Sequence, residues 1–233
     1  KLKQIYEHHN IWLNHHNAEI IDFETDFKDI SSALDQVSIY KSNIWSILNE
    51  CVEENKHVLF EGAQGTFLDI DFGTYPYVTS SNTISGNALI GSGIGLSENF
   101  YTLGIAKAYT TRVGNGPFPT EVQGAIGELI AKKGKEFGTV TGRKRRCGWL
   151  DLVLLKQSIK ISGICRLALT KLDVLDNFKI IKICIGYEID GNLINYLPVT
   201  EDDQIKINPI YKEYPGWDTS TYGVTNYKQL PHN

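Results

Sequence analysis

Glycine is concentrated in one central stretch of the chain. Of its 21 glycines, 16 lie from Gly62 to Gly148. Each glycine inside a helix costs about 1 kcal/mol relative to alanine, so this stretch cannot consist of long regular elements. Such backbone occurs where a chain bends sharply or passes close to a ligand, and a series of ordinary turns is the alternative. Because these glycines alternate with Gln, Thr, Ser and Arg, we favour ligand-binding loops.

The stretch before the glycines is acidic and has helical spacing. Residues 1–61 carry 5 lysines, no arginine and 11 acidic residues, and their apolar side chains recur at helical steps. We therefore predict a helical region over residues 1–56, with Ser31 and Ser32 capping one of its helices. Residues 57–233 are predicted to be the α/β portion of a single larger domain.

Regular elements return after the glycine-rich stretch. Leu150–Ile161 has the apolar spacing of a helix, whereas Arg166–Leu169 and Lys179–Ile185 are aliphatic runs typical of buried strands. Asp190–Gly191 separates two further apolar runs and predicts a tight hairpin. From Thr200 the chain becomes polar, with Pro209 and Pro215, and no closing element is expected before Asn233. The fold class is α/β, with a mostly parallel central sheet, flanking helices and long glycine-rich ligand-binding loops.

Composition excludes several classes of partner. A net charge of −4 provides no global attraction to nucleic acid or to an acidic membrane. The central apolar run Leu152–Leu155 is far shorter than the roughly 20 residues of a spanning helix. No CxxC pair is present, so a zinc site or a thioredoxin-like motif has no support. The pairs His8/His9 and His15/His16 fall near helical spacing, and a polar helix surface is favoured there over a metal-binding face. We expect a cytoplasmic protein that binds neither nucleic acid nor a membrane.

The first candidate site follows a short apolar run. His57–Phe60 is predicted to be a strand that runs into a glycine turn, and ligands bind at the carboxyl ends of strands in open α/β sheets. Gln64, in that turn, carries an amide that suits a purine edge, with an ordinary turn glutamine as the alternative. Gly91–Gly95 lacks the third glycine of a dinucleotide fingerprint, and no GxxxxGK[ST] phosphate loop occurs in the sequence.

The second candidate site is arginine-rich. The chain has 18 lysines but only five arginines, and three of the five lie in Arg143–Arg146. Arginine binds phosphate and carboxylate groups in a bidentate manner that lysine cannot match. The preceding residues, Gly138–Thr141, add hydroxyl and backbone N–H groups. A solvated basic loop and a nucleic-acid patch are the alternatives, and the acidic net charge favours a small-anion site over the latter.

The third candidate site follows the strand Arg166–Leu169. Asp173 lies just past the strand end, where a carboxylate can accept from N1–H and N2–H₂ of guanine together. Adenine presents the wrong edge for this contact. The stem of Lys171 can lie over the base. A salt bridge at the strand end is the alternative interpretation of the same residues.

Together these stretches resemble the adenylosuccinate synthetases, enzymes of purine nucleotide biosynthesis. The resemblance runs from about Asn43 to Gln229. Its densest motifs are FEGAQGTFLDIDFGTYPYVTSSNT (Phe60–Thr83), KAYTTRVGNGPFPTE (Lys107–Glu121), GRKRRCGWLD (Gly142–Asp151) and LTKLDVLD (Leu169–Asp176). In this family GTP phosphorylates the 6-oxygen of IMP, and L-aspartate then displaces the phosphate to give adenylosuccinate. The resemblance also implies a fold related to the phosphate-loop NTPases, incomplete in this chain.

The resemblance assigns substrates to the candidate residues. Gln64 would contact the purine edge of IMP and Thr79 its 5′-phosphate, with Val113 and Arg143 as further IMP contacts. The loop that would close over L-aspartate consists of Thr139, Val140, Thr141, Gly142, Arg143, Lys144 and Arg145. The residues that would bind GTP are Arg145, Lys171, Leu172 and Asp173.

The family's phosphate loop has no counterpart in this sequence. In the family that loop carries the catalytic aspartate, and a histidine and Mg²⁺-binding groups follow it. We therefore expect a central-to-C-terminal portion of the enzyme that is inactive alone, with no metal ligand and with Gln64 as a candidate stabiliser of the purine edge. The resemblance implies Mg²⁺ as cofactor and a homodimer for the whole enzyme. The alternative function is a non-catalytic guanine-nucleotide or RNA-binding module.

Overall fold

Helices and strands alternate from Thr102 to Pro215 in the computed structural model, which describes residues 1–95, 100–138 and 142–232. The α/β fold class is confirmed. The helices are α1 (Leu2–His15), α2 (Phe23–Val37), α3 (Ile44–Glu53), α4 (Gly86–Ser92), α5 (Ala125–Gly134), α6 (Leu152–Ile161) and α7 (Glu201–Ile205). The strands are β1 (Thr102–Lys107), β2 (Thr110–Arg112), β3 (Arg146–Gly148), β4 (Leu150–Asp151), β5 (Ile164–Thr170), β6 (Ile180–Ile189), β7 (Asn192–Ile194) and β8 (Asn208–Pro215). The chain divides into two units, Lys1–Val58 and Leu59–Asn233.

The first unit consists of helices α1, α2 and α3. Helix α2 begins at Phe23 because the carboxylate of Asp22 accepts hydrogen bonds from the backbone N–H of Thr25 at 3.2 Å and from its hydroxyl at 2.5 Å. The prediction that Ser31 and Ser32 cap a helix is wrong. Both lie inside α2, where the backbone N–H groups are already paired and a cap has nothing to satisfy. No side chain of this unit, which is described throughout, is fully buried.

Strands β1 and β5 of the second unit form a parallel pair, which confirms the strand predicted at Arg166–Leu169. Their register places Lys107, the last residue of β1, beside Thr170, the last residue of β5. Gly104 permits the close approach, because a Cβ there would lie 2.8 Å from a methyl carbon of Ile164. Parallel strands end at the same edge of a sheet, so the residues that follow β1 and β5 lie near each other.

The long strand β6 is the centre of a four-stranded sheet. It pairs in parallel with β4 and antiparallel with β7 and β8, while β2 and β3 form a separate antiparallel pair. Asp190 and Gly191 connect β6 to β7 with φ angles of 50° and 80°. Positive φ at both positions is what a two-residue hairpin turn of type I′ requires. The hairpin prediction is confirmed.

The prediction that no closing element follows residue 200 is wrong. Strand β8 pairs antiparallel with β6 from Ile180 opposite Pro215 to Glu188 opposite Asn208. The sequence did not predict this strand, because proline usually argues against a strand. Pro209 and Pro215 lie near the two ends of the ladder, which are the positions where a strand tolerates a residue without a backbone N–H.

The strand predicted at His57–Phe60 is also absent. This segment contains no regular element, and none of the described strands pairs with it. Leu59 has 92% of its surface exposed. A short apolar run becomes a strand only when a neighbour satisfies its backbone groups, and none of the described residues does so here.

Two apolar clusters form the core of the second unit. The first cluster includes Tyr109, Ile130, Trp149, Leu175 and Phe178. The second cluster includes Val153, Cys184, Tyr187, Leu197 and Ile207. The first cluster contacts α5 and the chain that follows β5, and therefore supports the end of the parallel pair.

Helix α6 confirms the helix predicted at Leu150–Ile161 and starts two residues later. Asp151 caps it, because its Oδ1 accepts from the backbone N–H groups of Val153 and Leu154, both at 3.1 Å. Its Oδ2 accepts from the hydroxyl of Tyr187 at 2.7 Å. Burial raises the pKa of Asp151, and the hydrogen bonds from Tyr187, Leu154 and Val153 partly oppose this rise.

Tyr187→Phe is expected to lower the free energy of unfolding by about 1–3 kcal/mol, because the buried Asp151 loses a donor. Equilibrium urea unfolding measures the change. Tyr214→Phe is the control, since within the described residues no hydrogen bond to the Tyr214 hydroxyl is found. We expect less than about 0.5 kcal/mol for the control. Equal effects of the two substitutions would contradict the assigned role of the Tyr187 hydroxyl.

Candidate functional site

The ends of β1 and β5 bring two lysines to one carboxylate. Lys107 ends β1 and Lys171 follows β5, and their ammonium groups donate to Oε1 of Glu136 at 2.8 and 3.0 Å. The hydroxyl of Tyr109 donates to the same oxygen at 2.5 Å. Nη1 of Arg145 donates to Oε2 of Glu136 at 2.9 Å. We call Glu136 and these four donors the Glu136 cluster.

The carboxylate of the cluster is buried and its cations are partly exposed. Side-chain exposure is 0% for Glu136, 25% for Lys107, 32% for Arg145 and 37% for Lys171. Burial opposes ionisation, but hydrogen bonds from Lys107, Tyr109 and Lys171 outweigh it and lower the pKa of Glu136 to about 2. Burial also lowers the pKa of Lys107. Three positive charges surround one negative charge, and the excess attracts an anion to this edge of the sheet.

Sequence reasoning did not find Glu136 or Lys107. Glu136 lies 29 residues from Lys107 and 35 from Lys171, so no local pattern relates them. One signal was present, because Glu136 is two residues before Gly138, where the glycine- and hydroxyl-rich segment begins. An acid next to an arginine-rich loop is a candidate for orienting those arginines.

The arginine-rich segment contains a structural arginine. Nε and Nη2 of Arg146 donate to the two carboxylate oxygens of Glu121 at 2.8 and 2.5 Å, and Nη1 donates to the carbonyls of Gly114 and Gly116. Arg146 therefore stabilises the fold. Arg145 differs, because its Nε is buried and has no hydrogen-bond partner among the described residues. The small-anion hypothesis for this segment therefore rests on the residues before Arg146.

The two described ends of the predicted aspartate loop are joined by backbone hydrogen bonds. The N–H of Gly142 donates to the carbonyl of Gly138 at 2.8 Å, and the N–H of Gly138 donates to that of Arg143 at 2.9 Å. The N–H of Arg145 donates to the carbonyl of Glu136 at 2.9 Å. The exposed residues at the second end are Gly142, Arg143 and Lys144. The predicted loop residues outside the described ranges are Thr139, Val140 and Thr141.

Gln64 and Thr79, both predicted to contact IMP, lie against each other. Nε2 of Gln64 donates to Oγ1 of Thr79 at 3.3 Å across 15 residues of chain. Gln64 has a φ of 66°, so the alternative of a turn glutamine describes its backbone correctly. The backbone N–H of Thr79 donates to the carbonyl of Leu68 at 2.8 Å, and this bond fixes the position of the threonine backbone.

A buried carboxylate organises the loop that carries Thr79. Oδ1 of Asp69 accepts from the backbone N–H groups of Asp71 and Phe72 at 2.9 and 3.1 Å. Its Oδ2 accepts from those of Thr83 and Ile84 at 2.6 and 3.2 Å. Burial opposes ionisation, but these bonds outweigh it and lower the pKa of Asp69. One side chain thus joins the beginning and the end of the loop.

Val113 follows β2 and has 52% of its surface exposed. The preceding Arg112 donates from Nη2 to Oγ1 of Thr74 at 2.8 Å and to the carbonyl of Tyr77 at 3.1 Å. Its Nε donates to the carbonyl of Asn115 at 2.9 Å. Arg112 therefore ties the end of β2 to the loop that Asp69 organises. The contact of Val113 with IMP stays a prediction.

The turn after β5 separates the roles of its three predicted residues. Lys171 has a left-handed φ of 58°, and a 3₁₀ turn follows at Leu172–Leu175. The side chain of Leu172 packs against the first core cluster, so only its backbone is available to a ligand. Lys171 forms the strand-end salt bridge, with Glu136 as its partner. Asp173 is half-buried, and within the described part of the chain no hydrogen bond engages its carboxylate.

The described ranges contain neither a metal-binding cluster nor a membrane-spanning helix. Within residues 1–95, 100–138 and 142–232, no three His, Cys, Asp or Glu side chains are placed to hold a metal ion together. No helix in these ranges is long and apolar enough to cross a bilayer. The four cysteines, Cys51, Cys147, Cys165 and Cys184, are free thiols.

Comparison with known proteins gives one consistent result. A family model described as adenylosuccinate synthetase matches residues 1–233. A curated adenylosuccinate synthetase from Wolbachia sp. subsp. Brugia malayi (strain TRS) is 50% identical over 228 residues, covering 95% of this chain and 52% of that protein. The structure of fully ligated adenylosuccinate synthetase from Plasmodium falciparum has a TM-score of 0.91 and 35% identity, covering 99% of this chain and 55% of that one. The chain spans about half the length of these relatives.

Proposed function

Because the chain belongs to the adenylosuccinate synthetase family, we propose that it supplies substrate-binding residues for the GTP-dependent ligation of IMP and L-aspartate to adenylosuccinate. In this reaction GTP phosphorylates the 6-oxygen of IMP, and the amino group of aspartate displaces the phosphate. The match of the family model to all 233 residues is the observation that carries the proposal. The chemistry of the described site residues supports it.

IMP is bound by the pair Gln64 and Thr79. The amide of Gln64 can both donate and accept, which suits a purine edge, and the Thr79 hydroxyl suits a phosphate oxygen. Their hydrogen bond at 3.3 Å keeps the two groups at one place. Val113 adds a backbone contact, and the exposed Arg143 reaches the nucleotide from the aspartate loop.

L-Aspartate and GTP are bound beside the Glu136 cluster. Arg145 uses Nη1 for Glu136 and its Nε is buried, so Nη2 is the group that suits a carboxylate or phosphate oxygen. The rest of the predicted aspartate loop contributes Thr139, Val140, Thr141, Gly142, Arg143 and Lys144. The net positive charge of the cluster favours both ligands, because each is an anion at neutral pH.

Mg²⁺ and a second subunit belong to the proposal for the whole enzyme. The described residues do not fit a Mg²⁺ site, since no three acidic, His or Cys side chains converge. None of the described residues is therefore assigned to the metal. The homodimer and the cytoplasmic location stay predictions from the family resemblance.

Guanine is recognised by Asp173, with Lys171 along the base and Leu172 contributing its backbone. Asp173→Asn is expected to weaken GTP binding by about 10- to 100-fold, because hydrogen bonds to a charged acceptor contribute about 1.5–3 kcal/mol. The amide presents a donor where guanine also presents one. Xanthosine triphosphate has a carbonyl at that position, so the variant should bind it better than the wild type does.

Calorimetric titration of the full-length protein with GTP, xanthosine triphosphate and IMP measures these affinities. IMP affinity should not change in Asp173→Asn. Asp202→Asn, on the exposed surface of α7, is the matched control and should leave all three affinities unchanged. Equal GTP affinity in the Asp173 variant and the wild type would sink the guanine assignment.

The alternative, an RNA-binding module, has less support from the contacts. Arg145 and Arg146 are engaged by Glu136 and Glu121, which reduces the basic surface available to a phosphate backbone. RNA affinity falls steeply with salt, whereas a mononucleotide site with few ionic contacts responds weakly. Titration of IMP and of a single-stranded RNA at 50 and 200 mM salt separates the two functions.

A further inference from the structure

We propose that Glu136 is the positioning residue that holds Arg145 and Lys171 for the binding of L-aspartate and GTP. The inference rests on the proposed function, because it assigns Glu136 a part in that same site. Glu136 need not touch either substrate. It acts through cations that do.

One carboxylate accepts hydrogen bonds from cations in three separate segments of the chain. Lys107 comes from the end of β1, Lys171 from the turn after β5, and Arg145 from the far end of the aspartate loop. Each donates to Glu136 at 2.8 to 3.0 Å. The carbonyl of Glu136 also accepts from the backbone N–H of Arg145 at 2.9 Å. Both the backbone and the side chain of Arg145 are therefore fixed by a single residue.

Burial separates this arrangement from a surface ion pair. The carboxylate has no exposed surface, so its bonds are neither screened by salt nor exchanged for water. Arg145 and Lys171 keep about a third of their side chains exposed, at 32% and 37%. They can therefore contact a ligand on one side while Glu136 holds them on the other. The Glu136 carboxylate stays ionised at neutral pH, because its pKa is about 2.

Charge balance predicts what happens when the carboxylate is removed. In Glu136→Gln, the three cations lose the negative charge that they share, although Lys171 keeps the carbonyl of Gly134 and Lys107 keeps the hydroxyl of Thr111 as acceptors. Their mutual repulsion is then uncompensated and would displace Arg145 and Lys171 from their present positions. In the proposed function IMP is bound at Gln64 and Thr79, whereas Arg145 and Lys171 are assigned to the other two substrates. The variant should therefore affect GTP and aspartate selectively.

Steady-state kinetics of the full-length protein tests the inference. In Glu136→Gln we expect the Michaelis constants for GTP and L-aspartate to rise at least 10-fold, and that for IMP to change less than 2-fold. Adding Lys107→Met to this variant removes one of the repelling charges. The double variant should therefore have Michaelis constants for GTP and L-aspartate at least 3-fold lower than those of Glu136→Gln. A purely structural role would not produce this recovery, because removing a second member of the cluster would destabilise the protein further.

Glu136→Asp keeps the charge but shortens the side chain by one methylene, and it replaces Glu136→Gln in the test if that variant does not fold. In Glu136→Asp we expect the Michaelis constants for GTP and L-aspartate to rise about 3-fold and that for IMP to stay unchanged. Equal changes for all three substrates, or wild-type constants in a folded variant, would overturn the inference. A wild-type protein that binds neither GTP nor IMP would instead overturn the proposed function.

Discussion

Gly148→Ala is expected to lower the free energy of unfolding by about 3 kcal/mol or more. Gly148 ends β3 and lies between β2 and the chain at Glu121, with which it forms a β-bridge. A Cβ at this position would meet the carbonyl oxygen of Thr120 and lie 2.9 Å from the Cα of Glu121. Both contacts are backbone atoms, which cannot rotate away as a side chain can. The strand would have to separate from its neighbours.

Gly86→Ala is the matched control for this substitution. Gly86 is the first residue of α4, and nothing lies within 4 Å of a Cβ built there. Alanine should leave stability unchanged or raise it by up to about 1 kcal/mol. Urea unfolding followed by circular dichroism compares the two variants with the wild type. If Gly148→Ala is as stable as Gly86→Ala, the close packing of β3 is not as described.

Asp69→Ala is expected to lower the free energy of unfolding by about 3 kcal/mol and to weaken IMP binding by about 10-fold. Removing the carboxylate leaves four backbone N–H groups, those of Asp71, Phe72, Thr83 and Ile84, without their acceptor. A fully buried unpaired donor costs about 1–3 kcal/mol, and these four partly buried donors regain part of this cost by bonding to water. The loop that carries Thr79 would then lose its shape.

Asp71→Ala controls for the loss of a nearby acid. Asp71 is exposed, and its carboxylate accepts only from Nδ2 of Asn82 among the described residues. We expect a change of less than about 0.5 kcal/mol and unaltered IMP affinity. Thermal unfolding and IMP titration are the measurements. Unchanged IMP affinity in Asp69→Ala would show that the loop does not set the position of Thr79.

Acid should weaken the same loop. The pKa of Asp69 is lower in the folded protein than its ordinary value of 3.8. A depressed carboxyl pKa contributes stability that is fully present above the unfolded value and is lost as the pH falls through the folded one. Wild-type stability should therefore decline below about pH 4, and Asp69→Ala should lack this part of the decline.

Local patterns predicted the parts of the fold that local interactions form. Helix α6, strand β5 and the Asp190–Gly191 hairpin depend on spacing within about ten residues, and each is present. Sequence reasoning reached these features because the required chemistry is visible in short segments. Gln64 and Thr79, the second named only from the family resemblance, lie in contact, and their ligands stay predictions.

The features that sequence reasoning missed depend on distant partners. Strand β8 exists because β6 offers it an edge, whereas the apolar run at His57–Phe60 has no such neighbour among the described strands. Glu136 resembles any acid after a helix until β1 and β5 bring Lys107 and Lys171 to it. Pairing across tens of residues leaves no periodic pattern in the sequence.

The left-handed backbone of Lys171 is unfavourable for a lysine, yet the lysine side chain makes contacts that glycine or asparagine could not make. With a φ of 58°, this residue occupies a conformation that glycine or asparagine adopts at lower energy by about 1 kcal/mol. Backbone conformation alone would therefore favour glycine or asparagine at this position. The lysine side chain, however, donates to the buried Glu136 and, in the proposed function, lies along guanine. These side-chain contacts therefore outweigh the local backbone strain at position 171.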